Sequence, residues 1–209
     1  MAKDLPIAKL LRELGFATDS SQLAARAALL AAGIVTPRKD RIVEWKREEV
    51  EACLRARVTL LCEACRAGGL GRAVPTAIVA GQGDRCIICE GSANRRGALL
   101  LIEACRRAGF HRVIIVGGSI DVRLQVPLLL GDHLDVRMVD GTVARPGRDV
   151  QREMDGADVV LLLGSTELSH TVSSSWAGPK TVATNQRGIS GFLLEAAEKI
   201  RDRAARAGR

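Results

Sequence analysis

Tyrosine is absent from this 209-residue chain, and phenylalanine and tryptophan are so few that aromatic residues make up 2%. Such scarcity argues against a protein that stacks single-stranded bases on aromatic platforms. Long apolar runs are also missing. Apolar residues reach 47%, but Arg or Gly breaks them into short stretches, none near the ~18 residues of a membrane span. The first residues, Met1 to Pro6, hold no apolar signal core, which predicts a cytoplasmic protein with no membrane partner. There is no internal repeat and no low-complexity linker, and only the charged tail from Arg201 is expected to fray.

What the chain does have is cysteine, six in all. In a cytoplasmic protein these read as thiols or metal ligands in preference to disulfides. Four stand in two C-x-x-C pairs, Cys62/Cys65 and Cys86/Cys89, a spacing that fits a structural zinc ribbon closed by four thiolates. The segment between them carries Gly68, Gly69, Gly71, Pro75, Gly81 and Gly83, enough turn formers to fold one pair back onto the other. A closed site of this kind holds a fold and does not catalyse. Cys53 and Cys105 lie in helical patterns and read as small buried hydrophobes.

The net charge of +7 is uneven: residues 1 to 110 carry eighteen Lys/Arg against twelve Asp/Glu, the remainder thirteen against twelve. A basic front suggests an anionic partner there, nucleic acid being the commonest. Helical spacing predicts helices over residues 4 to 15 with Asp4 as cap, from Gln22 to Ala32, and from Lys46 to Arg57. Between the last two lies a basic turn, Ile34 to Arg41. Residues 1–60 thus form a small helical region, either a helix-turn-helix relative or a docking or dimerising subdomain. In the first case Arg38, Lys39, Arg41, Lys46 and Arg47 are the candidate nucleic-acid contacts.

After the cysteine frame (residues 61–92) the pattern becomes α/β, over residues 93–209. A helix from Gly97 to Ala108 precedes strands at Val113–Val116, Leu134–Val139, Val159–Leu163 and Thr181–Thr184, with a helix around Gly147–Met154 and a last one from Ser190 to about Ala205. Apolar runs separated by helices predict a Rossmann or flavodoxin-like parallel sheet of about four strands. In such a sheet, ligands bind at the carboxyl ends of the strands. The residues falling there are Gly117, Gly118 and Ser119, then Asp140, then Ser165 and Thr166 followed by Ser169 and His170, then Asn185 and Arg187. The glycines at a helix start suit an anion, or serve a tight turn. Asp140 stands where a dinucleotide fold places a ribose-binding carboxylate, or acts as a turn residue. His170 is a candidate acid or base beside Ser169, although no acidic partner completes a triad. Arg95, Arg96 and Arg187 are candidate phosphate forks.

The run Val113-Ile114-Ile115-Val116-Gly117-Gly118, then Asp140-Gly141, Ala157-Asp158-Val159-Val160, Ser169-His170 and Gly188-Ile189-Ser190 resembles the small bacterial domain-of-unknown-function family numbered 2325. The resemblance covers residues 112 to 200. It implies a Rossmann-like fold and singles out Ser169 and His170, but implies no reaction, since the family carries no assigned activity. That family typically has a lysine in the helix after Ser-His, and Thr171 to Trp176 here contains none.

The expectation is therefore a zinc-containing protein whose front contacts nucleic acid or a partner, joined to a domain for a nucleotide or other phosphate-bearing ligand, in a regulatory or defence setting. The alternatives are an enzyme acting on a nucleotide or phosphodiester through His170, with Ser165, Ser169 or Arg187 on the phosphate, and a homodimeric scaffold. A homo-oligomer is expected.

Overall fold

Pro6 decides where the first helix starts. With φ at −60° and ψ at 130° it precedes the helix, and its ring keeps the residue before it extended. The computed structural model describes residues 4–70, 77–80, 85–164 and 169–207. In place of one helix over residues 4 to 15 it has strand β1 (Asp4–Pro6) and helix α1 (Ile7–Glu13). Helix α2 (Asp19–Ala31) begins after Thr18, whose hydroxyl accepts from the Ser21 N–H while the Ser21 hydroxyl bonds back to Thr18, a reciprocal capping box. The end of the basic turn is strand β2 (Arg41–Val43), antiparallel to β1 with Ile42 opposite Leu5. A 3-10 turn at Glu44–Lys46 leads into α3 (Arg47–Arg57).

The chain divides into two compact units, Met1–Ser92 and Ala93–Arg209. In the first, Leu10, Leu11, Phe16, Leu29, Ile42 and Val50 are among the residues of a helical core. Strand β3 (Thr59–Cys62) borders it: Leu60 packs against that core and Leu61 joins a second one formed with the four cysteines. Side chains alternate across a strand, so β3 ties the helical region and the cysteine frame into one unit. After β3 come α4 (Glu63–Ala67) and β4 (Ala77–Ala80), which pairs parallel with β3. The cysteine frame expected from the spacing is present as a cluster of four buried cysteines. Among the described residues it rests on a parallel strand pair with a helix between.

The second unit contains α5 (Ala93–Ala108), β5 (Arg112–Val116), α6 (Ile120–Leu130), β6 (Asp135–Val139), α7 (Gly147–Gly156), β7 (Val159–Leu163), α8 (His170–Ser175), β8 (Thr181–Thr184) and α9 (Ile189–Ala207). The four strands are parallel in the order β6-β5-β7-β8. All five side chains of β7 are buried, as a strand covered on both faces requires. On one face Ile114, Val116, Val160 and Leu162 pack with Val150 and Met154 of α7 and with Val172 and Trp176 at α8. The alternate residues, Ile115 and Leu161 among them, are fully buried on the opposite side, where α5 packs along α9 and touches α6.

Polar side chains fasten the ends. Asp158 accepts the backbone N–H groups of His111 and Arg112 at 2.7 and 2.8 Å, pinning the start of β5 to that of β7. Lys180 donates to the carbonyls of Met154, Asp155 and Ala157, closing the C-terminus of α7. On α9, Lys199 pairs with Glu195 and donates to the Ala183 carbonyl of β8 at 2.8 Å. Among the described residues no helix is long and apolar enough to cross a membrane.

Candidate functional site

The cysteine cluster is the most closely defined site. Cys62 ends β3, Cys65 sits in α4, and Cys86 and Cys89 lie on the turn that precedes α5. Local backbone geometry brings each pair together, and the β3–β4 pairing brings the pairs to each other. All four are buried, and their Sγ atoms lie within 4.8 Å of one another. A tetrahedral ion bonded to sulfur at about 2.3 Å has sulfur–sulfur edges of about 3.8 Å, which is the Cys62–Cys89 separation of 3.8 Å. Four converging thiols in an otherwise apolar surround fit a thiophilic metal ion. Burial pushes the Cys65 thiol well up, reinforced by hydrogen bonds with Cys62, Cys89 and Cys86. Burial also raises Cys86, but the backbone N–H groups of Cys89, Cys62 and Ile88 outweigh it and bring the thiol down to about 7. A bound cation would draw the protons off the thiols that hold it. Cys105, outside the cluster, is pushed up to about 12 by burial and by Asp158, which makes it an inert packing residue.

In the second unit the chain runs from β5 to β6 on one side and then crosses to β7 on the other, so the order reverses between β5 and β7. Gly117 and Gly118 leave β5 at φ +96° and +93°, a left-handed turn that a side chain would strain. A Cβ on Gly118 would also stand 3.0 Å from Val122 Cγ1. Ser119 caps α6 by accepting from the Val122 N–H. After β7 comes Gly164, and beyond it Ser165 and Thr166 lie outside the described residues. A Cβ at Gly164 would meet the Thr184 carbonyl at 2.9 Å, so the ends of β7 and β8 approach closely.

Asp140, at the end of β6, accepts from the Thr142 N–H at 2.9 Å and its hydroxyl at 2.7 Å, and pairs with Arg123 of α6. The Thr142 donors first, then Arg123, hold its carboxyl down to about 2. It behaves as a turn residue locked to α6. The Ser169 hydroxyl accepts from the Val172 N–H at 3.2 Å as the cap of α8. His170 is exposed, and its imidazole makes no hydrogen bond among the described residues. The two neighbours do not form a nucleophile–base pair. Asn185 and Gln186 give their backbone N–H groups to Glu195 of α9 at 2.7 and 2.9 Å, so these donors face an internal carboxylate. Arg187 beside them is exposed.

Because α5 and the strands alternate in direction, α5 starts at the same edge. A Cβ on Gly97 would stand 3.2 Å from the Ser190 carbonyl, which places the first turns of α5 and α9 against each other. Arg96 precedes that contact, and its buried Nε has no hydrogen-bond partner among the described residues. Sequence reasoning found Arg96 but not Arg123, Glu195 or Lys199, whose partners lie far along the chain and leave no local motif.

The predicted basic contacts divide. Arg38 and Lys39 are exposed on the turn before β2 and make no ion pair among the described residues. Arg41 donates to the Asp4 carbonyl. Lys46 pairs with Glu49 at 3.7 Å and lies over the Trp45 ring, and Arg47 bridges Glu13 and Glu51. Trp45 is itself 70% exposed. A separate cavity of about 560 Å³ lies in the first unit beside the second cysteine pair, lined by Phe16, Leu54, Val58, Leu60 and Ile87 with Arg55 and Arg85. It has no part in the sheet edge.

Comparison with protein-family models, with curated proteins and with solved structures returns no match.

Proposed function

We propose that this chain is a zinc-braced binding protein whose second unit takes a nucleotide or similar phosphate-bearing ligand at the carboxyl edge of its sheet, and whose first unit contacts nucleic acid. Zinc is inferred from the donor set, since four thiolates at tetrahedral spacing suit it better than harder ions. Cys62, Cys65, Cys86 and Cys89 would hold it, and it would brace the fold without taking part in chemistry.

The observation that carries the ligand reading is Arg96. A buried guanidinium nitrogen without a partner costs about 1–3 kcal/mol, and this one stands where α5 and α9 begin. Helix starts and a guanidinium fork both favour a phosphate. Gly117, Gly118 and Ser119 lie at the strand-order reversal of the same edge, where α/β sheets take ligands, and Arg187 and His170 flank it. Titration calorimetry against a nucleotide panel, cyclic oligonucleotides included, tests this reading. Binding that Arg96→Met weakens at least tenfold supports it. A panel with no binder, or a variant that binds as well as the wild type, removes it.

The nucleic-acid reading is favoured by Arg38 and Lys39, exposed cations on a fixed turn. Polarisation titrations with duplex and single-stranded DNA and RNA at rising salt test it, and absence of binding even at low salt would sink it. An enzymatic reading would need His170 as acid or base. The Ser169 hydroxyl already caps α8, so binding is the preferred activity.

A further inference from the structure

The first unit contains a helix pair, α1 and α2, one helix earlier than the basic turn. Helices α1 and α2 are joined by the short segment Leu14 to Thr18, which turns through Gly15 at φ +98°. A Cβ there would stand 2.7 Å from Arg85 Cγ, so the turn is closely packed as well as left-handed. After α2 the chain returns as β2 to pair with β1, the strand that leads into α1. The pairing closes the two helices and the intervening turns into one frame. In DNA-reading units of this kind the second helix enters the major groove with its first residues on base edges, while the first helix crosses the backbone.

Helix α2 has the surface such a role requires. Ser20, Leu23 and Ala27 are exposed and Gln22 is half-buried, so the helix offers small or neutral groups to a groove walled by phosphates. Leu23 is 69% exposed, and an apolar tip among polar neighbours fits a thymine methyl, as Gln22 fits adenine. The single acid at the helix start, Asp19, suits the N4 donor of cytosine. The basic turn is held to this helix: Arg26 of α2 donates to the carbonyls of Pro37 and Lys39 at 3.1 and 2.9 Å and pairs with Asp40 at 3.3 Å. Arg38 and Lys39 are thus presented at a fixed place relative to α2. Charge complementarity selects the occupant: Arg38 and Lys39 make no ion pair among the described residues while Asp40 beside them is paired with Arg26, so the turn presents two cations to phosphates flanking a groove.

We infer that α2 and the turn at residues 36–40 form one reading surface for duplex DNA, with Ser20, Gln22 and Leu23 on base edges in the major groove and Arg38 and Lys39 on phosphates. The inference rests on the nucleic-acid reading of the first unit and narrows it to one polymer and one face. Lys46 and Arg47, engaged with acidic side chains, lie outside it.

The test uses the full-length chain and a random-sequence duplex library of about two helical turns, from which the wild type selects. The selected duplex is expected to bind more tightly than single-stranded DNA or RNA of the same sequence. The Arg38→Ala, Lys39→Ala double variant should bind it roughly tenfold more weakly, with the slope of log affinity against log salt reduced by about two. The Gln22→Ala, Leu23→Ser double variant should lose the sequence preference and keep the slope. Arg201→Ala, in the other unit, should change neither. Far-UV circular dichroism and metal content check that each variant is folded. Duplex binding that both double variants leave intact, or a preference for RNA or single strands, overturns this inference while the broader reading stands. No binding to any nucleic acid overturns both.

Discussion

Asp140 and Ser169 show how one side chain can look functional and act structurally. Asp140 stands where a dinucleotide fold places a ribose carboxylate, and of its two expected roles it takes that of a turn residue, bonded to Thr142 and Arg123. Because its folded pKa is depressed, its contribution to stability is complete above the unfolded value of about 4 and is lost as pH falls through about 2. The difference in denaturant midpoint between wild type and Asp140→Asn should therefore be constant from pH 7 to 5 and shrink from pH 4 to 2. A difference that grows toward acid would contradict this assignment. Ser169→Ala should destabilise the second unit by about 1 kcal/mol through loss of the α8 cap, whereas His170→Ala should leave urea denaturation unchanged. The cysteines were legible because each pair is a local motif. The pairing of Asp140 with Arg123 was not, because nothing in the intervening residues signals that they meet.

Elements with apolar runs or strong periodicity were readable, as was the short β8 at Thr181–Thr184, while the short strands of the first unit were not. Strands β5 and β7 announce themselves as Val113–Val116 and Val159–Leu163, and α7 and α9 match their expected positions closely. Strands β1 and β2 span three residues each, too few for alternation to register, and each draws its stability from pairing with the other and from the Leu5 and Ile42 core. The helix expected from residue 4 failed at Pro6, whose ring extends the residue before it. Strands β3 and β4 were hidden because each spans four residues and they pair in parallel across the intervening chain, which leaves no local signal. At this scale Lys180 is the clearest test. Its ammonium satisfies three carbonyls at the end of α7, so Lys180→Met should lose about 1.5–3 kcal/mol. Native-state hydrogen exchange should then rise first in residues 147–156, and uniform change across the sheet would argue against a local cap.

For the molecule as a whole, the cysteine cluster belongs entirely to the first of two units with separate cores. Chelation at neutral pH should increase hydrogen exchange around β3, α4 and the second cysteine pair before it reaches β5 or β7. Equal loss in both units would mean that the two fold as one. Protons compete with the metal for the thiolates, so the same chelator should act at lower concentration as pH falls. The second unit carries a different safeguard. Strand β8 ends the sheet, and since the Lys180 and Thr184 carbonyls face β7, the Ala183 carbonyl faces outward, where Lys199 occupies it. A lysine in that position denies the rim of the sheet to a neighbouring molecule's backbone. Neutralising it, by acetylation or by Lys199→Ala, would free that carbonyl and leave the β8 rim a better template for a neighbouring strand.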